Sequence, residues 1–461
     1  MAGPENGSAH QLREERHSTW ATSDRFVPKN FIRPFVHFSR IEASSGIVLL
    51  AAAAAAVVWA NSPWSDTYFS LLEERLHLDF LGFHFDESVL HLINDGLMAV
   101  FFFVVGLEIK RELVLGDLKD PRAAALPVMA ALGGMILPAA IYIALNAGGG
   151  PEAIKGWGVP MATDIAFALG IVALLGSKVP SGAKLFLLAV AIADDIGAIA
   201  VIAIFYTEDL HAGYLGAAIG VLALVWAASK VNIRSYVVYV PLALVLWYFV
   251  LESGIHATLA GVALGFLAPA HPYYAPGQLK ARVGAIINQF PLEPDSPALQ
   301  EHADHEALSL STIAREAVAP LTRAEHALVG WSSFLIVPVF ALANAGVDFR
   351  QVSLTDALTS NLALGIAAGL VLGKVIGVSL FAFGAVKLKL GILPRGTGWR
   401  HVLGLSAVAG VGFTVSLFIT GLAFDDPQLT DFAKVGIFAG SLIAGVLGAL
   451  LLSRAESPDE R

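Results

Sequence analysis

The chain has 461 residues, 56% of them hydrophobic and only 15% charged, and its mean hydropathy of +0.69 lies outside the range of soluble globular domains. It holds no cysteine, which excludes disulfides, thiolate metal sites and cysteine nucleophiles. The net charge of -9 is spread over loops and tails without a basic patch, which argues against nucleic acid as a partner.

In chain order, residues 1–40 are polar and hold no apolar core of signal-peptide type, so they read as a cytoplasmic tail. Segments apolar enough to cross or nearly cross about 30 Å of hydrocarbon follow at 41–60, 89–109, 123–145, 159–175, 183–205 and 214–228. A second six lie at 236–251, 255–268, 327–345, 362–386, 402–424 and 433–452, which predicts an all-α polytopic membrane protein of about twelve spans. The spans divide into eight within 41–268 and four within 326–453, with a short cytoplasmic tail at 454–461. With the amino terminus inside, about 24 of the 29 Lys and Arg fall on the cytoplasmic side, the asymmetry that orients membrane helices. Arg75, Lys155, Arg350 and Lys434 fall outside, and Lys374 lies within a span.

Two pieces interrupt the pattern. Residues 76–85, "LHLDFLGFHF", alternate apolar and polar around Gly82, which predicts an external β-hairpin. Its free edges can pair with a second protomer, giving a homodimer, or it simply caps the span. The stretch 269–325 is long, acidic and without sustained periodicity, and reads as a mostly disordered cytoplasmic loop.

The informative residues are charges inside the spans. Asp194 and Asp195 lie roughly 16 Å from either end of their helix at 1.5 Å per residue, too deep to reach water. Each ionised acid at such depth costs roughly 3 kcal/mol on an insertion scale. Neighbouring positions on a helix are about 100° apart, so the two acids need not share a partner. Lys374 is equally central, about 18 Å from each end of a helix against a stem of about 6 Å. A buried ion pair with one acid is its plain structural reading. Asp164, in the middle of "GVPMATDIAFALG", brings the acids to three against one lysine, so carboxylates remain that must be protonated or bind a cation. The span with Asp164 is short and opens on Pro160, and the eleventh carries Gly404, Gly410 and Gly412. Such interruptions point to broken helices baring backbone dipoles at mid-membrane, although glycines also serve ordinary close packing. An acid beside exposed amides, and a lysine beside exposed carbonyls, are both stabilised.

At these residues the sequence resembles the NhaA-type sodium/proton antiporters. The matching stretches are "LINDGLMAVFFFVVGLEIKREL" (92–113), "GVPMATDIAFALGI" (158–171), "AVAIADDIGAIAVIAIFY" (189–206) and "SGIHATLAGVALGF" (253–266). Then come "FALANAGV" (340–347), "GLVLGKVIGV" (369–378) and "GVGFTVSLFI" (410–419). The resemblance implies inverted repeats, with the fourth and eleventh spans broken and crossing at mid-membrane. It implies an electrogenic secondary transporter that exports Na⁺ or Li⁺ from the cytoplasm in exchange for H⁺, two per Na⁺, across the bacterial plasma (inner) membrane, for pH and sodium homeostasis. Asp194 and Asp195 would bind the ion and the protons, Thr163 and Asp164 would line the crossing, and Lys374 would pair with Asp194 and, with Asp164, compensate charge. Asp95 falls on a family acid of the second span. Glu108, Glu112, His256, Glu325 and His326 fall on positions linked to pH response. The chain departs at "AEHALVGW", where Val329 and Gly330 replace the His-Pro often found after the Glu-His pair, so the usual pH set point does not carry over.

The plain readings stand beside these. Glu108 and Glu112, one turn apart, also look like any helix end decorated with ion pairs, and His256 like a hydrogen-bonded interfacial side chain. An intramembrane aspartyl protease would need its two acids on facing helices and would leave the lysine without a role. A retinal-type photoreceptor, with Lys374 as the Schiff-base amine, fits poorly with twelve spans and an excess of acids. The transporter reading calls for no enzymatic activity, no cofactor and no nucleotide site; sodium, a hard cation, takes oxygen ligands, which Asp194 and Asp195 supply.

Overall fold

The structure, a computed structural model, describes residues 44–80, 83–207, 210–290, 296–350 and 352–455. The tail 1–40, nearly all of 454–461 and the turn at Gly82 lie outside the described residues. Helix α1 (Ser44–Ala60) turns through 109° into α2 (Ser65–Glu73). Strands β1 (Arg75–Phe80) and β2 (Phe83–Ser88) then pair antiparallel, from Arg75 opposite Ser88 to Phe80 opposite Phe83, at the place where the period-two pattern predicts a hairpin.

Helices α3 (Val89–Val114) and α4 (Pro121–Asn146) follow, then the half-helices α5 (Gly150–Met161) and α6 (Ile165–Lys178), bent by 40° at their break. Next are α7 (Ser181–Phe205), α8 (Ala212–Lys230), α9 (Tyr236–Glu252) and α10 (Thr258–Leu267). After α11 (Pro276–Gln289) and α12 (Pro297–Glu316), the chain resumes with α13 (Pro320–Asn344), the short α14 (Leu354–Thr359) and α15 (Asn361–Lys387). It closes with the half-helices α16 (Trp399–Val408) and α17 (Phe413–Ala423), bent by 46°, and α18 (Pro427–Ser453). Apolar helix thus stands at each of the twelve predicted positions. Seven of these helices are long and apolar enough to cross a membrane, ten if each bent pair is one span, while α9 and α10 are shorter. This is a polytopic helical membrane fold.

One expectation is corrected. The stretch 269–325, read as mostly disordered, carries α11 and α12, packed on one another. Their inward positions, Leu279, Val283 and Ile286 on one helix and Ala303, Leu310 and Ile313 on the other, do recur at helical spacing. The polar and acidic residues between them dilute that signal in the sequence.

Close packing positions the site. A methyl on Gly133 would lie 2.2 Å from the Gly377 carbonyl oxygen, and one on Gly377 would lie 2.1 Å from that of Gly133, so α4 and α15 touch backbone to backbone. Single π turns interrupt α3 at Leu92–Leu97, α13 at Ser332–Ile336 and α15 at Gly369–Gly373, the last immediately before Lys374.

Candidate ion site at the helix breaks

The two breaks meet. In the first, residues 162–164 leave helical geometry after Pro160, which has no N–H to donate. In the second, residues 409–412 do the same, and Gly412 lets it close in, since a methyl there would stand 2.8 Å from the Ala162 carbonyl oxygen. The Asp164 N–H donates to the Val411 carbonyl at 2.7 Å, and the Thr163 hydroxyl donates to the Ala409 carbonyl at 2.8 Å. Two of the carbonyls freed by the breaks, those of Ala409 and Val411, are thereby paired across the crossing.

Asp164 caps two helices at once. Its Oδ1 accepts the Phe167 N–H at 3.0 Å, at the start of α6; its Oδ2 accepts the Thr414 N–H at 3.1 Å and the Thr414 hydroxyl at 2.5 Å, at the start of α17. A buried carboxylate between two amide-bearing helix starts is stabilised by both dipoles.

Asp194 and Asp195 face different neighbours. Lys374 Nζ donates to Asp194 Oδ2 at 2.8 Å and to Thr163 Oγ1 at 3.0 Å; lysine and acid are each 1% exposed. The Thr163 hydroxyl donates to one group and accepts from another, which leaves it one lone pair. Asp194 Oδ1 is buried with no hydrogen-bond partner, and Asp195, 7% exposed, has neither hydrogen bond nor ion pair among the described residues. The crossing therefore contains one carboxylate that is saturated, one half-paired and one unpaired.

The other sequence candidates separate. Asp95 lies in the π turn of α3, its carboxylate 3.4 Å from His91 Nε2 and its carbonyl accepting the Trp247 indole N–H at 3.0 Å. The Arg111 guanidinium pairs with Glu325 of α13 and stands 3.6 Å from Glu112, with Glu108 in the field of all three. His326, the next residue after Glu325, is exposed. His256 Nε2 contacts the Tyr206 carbonyl at the far end of α7. Ile109 packs in one cluster with Ile192, fourteen positions earlier on that helix, so His256 stands roughly 20 Å from the glutamates. Glu108, Glu112 and Glu325 are gathered; the two histidines are not part of that group.

Thr414 and Arg111 are partners of the candidate site residues that the sequence reading misses. Thr414 comes directly after the glycine break, where a helix start needs capping partners, and Arg111 is a long cation set between two of the clustered glutamates.

Residues 36–452 match the family model described as Na+/H+ antiporter 1. The chain belongs to that family. Among its relatives, the Na(+)/H(+) antiporter NhaA of Acidithiobacillus ferrooxidans is 46% identical, the match covering 91% of this chain and 97% of the relative. That of Oleidesulfovibrio alaskensis is 45% identical over 93% and 96%, and the Na(+)/H(+) antiporter NhaA 2 of Sorangium cellulosum 44% identical over 97% and 96%. The protein is a Na⁺/H⁺ antiporter, a multi-pass membrane transporter for these two ions. The match to the antiporter family takes in both broken pairs and both ends of the Lys374–Asp194 pair.

Proposed function

We propose that the antiporter exports cytoplasmic Na⁺, and Li⁺ as an alternative cargo, in exchange for two protons per cation, with Asp194 and Asp195 as the shared carriers. The observation that carries this reading is the uneven satisfaction of the three acids at the crossing. Asp164 has its acceptors filled, whereas Asp194 Oδ1 and the whole Asp195 carboxylate are left for a cation or a proton. A hard cation entering there is offered carboxylate oxygen, with the Thr163 hydroxyl and freed carbonyls close by. The same oxygens bind protons, so the two ions compete for one site. Opening to one face at a time turns that competition into exchange: Na⁺ displaces protons inside, and protons displace Na⁺ outside. Asp164 and Lys374 compensate the bared helix ends and the carrier charge.

In this reading the protein sits in a bacterial plasma (inner) membrane with both termini cytoplasmic, as the distribution of Lys and Arg supports, and serves sodium and pH homeostasis. The β1–β2 hairpin is then external, and its free edges suit pairing with a second copy. Glu108, Glu112 and Glu325, joined through Arg111, form the ionisable group best placed to answer cytoplasmic pH. The deciding experiment is collapse of an imposed pH gradient by added Na⁺ or Li⁺ in vesicles carrying the protein. A gradient indifferent to both cations would overturn the assignment.

A further inference from the structure

The half-helix α5 ends in an unusually long run of 3₁₀ turns, the six residues Gly156–Met161. Pro160 favours that geometry over the α form, in which its ring would strike the Gly156 carbonyl. Hydrogen bonds in such a run are poorly aligned, so its end is placed by what holds it from outside. Three buried side-chain hydroxyls from three other helices do so. The Tyr142 hydroxyl of α4 donates to the Ala153 carbonyl at 2.6 Å, the Tyr206 hydroxyl at the end of α7 to the Lys155 carbonyl at 2.6 Å, and the Ser416 hydroxyl of α17 to the Val159 carbonyl at 2.8 Å. The Tyr206 oxygen also accepts the Gly158 N–H at 3.3 Å, so one hydroxyl spans a turn of the run. A methyl on Gly158 would stand 2.7 Å from that oxygen, so the approach needs a residue without a side chain.

The run leads directly into Thr163 and Asp164. Thr414, two residues before Ser416, holds Asp164, so the first turn of α17 grips the stretch 159–164 at both ends. The bonds of Tyr206 and Ser416 go to backbone, and they reach a cation only through where they set the break. We propose that Tyr206 and Ser416 are positioning residues for the exchange. They fix how far Thr163 and the carbonyls beside it stand into the crossing, and thereby the affinity for Na⁺ and its discrimination from Li⁺. The inference rests on the crossing being the ion site. Selectivity between hard cations is a matter of cavity size, ligand number and flexibility, and a ligand set loosened by a fraction of an ångström loses on all three. Tyr142 acts farther away, at Ala153, ten residues before Thr163, and so belongs to the support of α5 alone.

The test compares Ser416→Ala, Tyr206→Phe and Tyr142→Phe with the wild-type protein. Half-saturating Na⁺ and Li⁺ are measured by exchange in vesicles, and the unfolding midpoint on the purified proteins. Ser416→Ala, nearest the break, should raise the half-saturating Na⁺ concentration by roughly three- to tenfold, as the loss of one hydrogen bond allows. Tyr206→Phe should raise it by a smaller factor, and both should change the ratio of the Na⁺ to the Li⁺ value. Tyr142→Phe should lower the midpoint and leave that ratio as it is. A lowered midpoint with wild-type half-saturation and ratio in Ser416→Ala would make its hydroxyl purely structural and overturn the proposal, even if Tyr206→Phe fails to fold. An equal shift in Tyr142→Phe would overturn it too, as a general loosening of α5. Asp195→Asn is run beside them. If it exchanges like the wild type, the carrier assignment has failed; if it is inactive, an unmoved half-saturation in Ser416→Ala counts against the positioning residues alone.

Discussion

Asp194 and Asp195 are neighbours in sequence and opposites in circumstance. The helix twist of about 100° per residue turns one toward Lys374 and leaves the other without a partner. That both acids are buried and deep was legible from their place in the span; which of them takes the lysine was not legible from the residues themselves, because it depends on the rotation of α7 against α15, and only the family resemblance named Asp194. Asp194→Asn and Asp195→Asn should each remove nearly all Na⁺-driven proton movement in vesicles. Wild-type-like exchange by Asp195→Asn would sink the carrier assignment. Lys374→Ala strands a buried carboxylate and should lower stability by about 3–5 kcal/mol, seen as a reduced unfolding midpoint. Thr414→Val removes the hydroxyl bond to Asp164 while keeping the shape; a loss of about 1.5–3 kcal/mol is expected, restored by Thr414→Ser. Equal midpoints for the valine and serine proteins would show that Asp164 does not depend on that hydroxyl.

At the scale of elements, the order of the apolar helices was readable because long apolar runs admit few alternatives. The breaks in the α5/α6 and α16/α17 pairs were signalled by Pro160, Gly410 and Gly412. The three π turns left no such mark: one extra residue per turn changes neither composition nor length, only the direction in which the next side chains face. In α15 the next side chain is that of Lys374, so the turn at Gly369–Gly373 belongs to its aiming. The backbone contact of α4 with α15 supports the same aim. Gly377→Ala would drive a methyl against the Gly133 carbonyl and push the helices apart. It should cost about 1–3 kcal/mol and weaken exchange together with stability, measured by unfolding and by vesicle transport. Unaltered stability would mean that the two helices slide without loss.

For the whole molecule, the proposed exchange of two protons inward for one sodium outward would move one net positive charge inward per cycle, worth about 2.3 kcal/mol per 100 mV. An inside-negative potential should therefore speed export, and clamping it to zero with valinomycin and K⁺ at a fixed pH gradient should slow it. An unchanged rate would indicate one-for-one exchange. Competition for the carriers predicts that the half-saturating Na⁺ concentration rises on acidification by up to about tenfold per pH unit for each competing proton, while the maximal rate is kept. A maximal rate that collapses below neutrality would instead show the Glu108, Glu112 and Glu325 group closing the transporter. Finally, under the proposed mechanism the ammonium of Lys374, 2.8 Å from Asp194 Oδ2, would act as a tethered stand-in for the cargo. An Asp194 vacated by its ion would fall back on it instead of facing the membrane interior bare. Arriving sodium would then compete with an incumbent and be held only as firmly as the difference between the two cations allows, and an exporter gains from a grip that releases quickly.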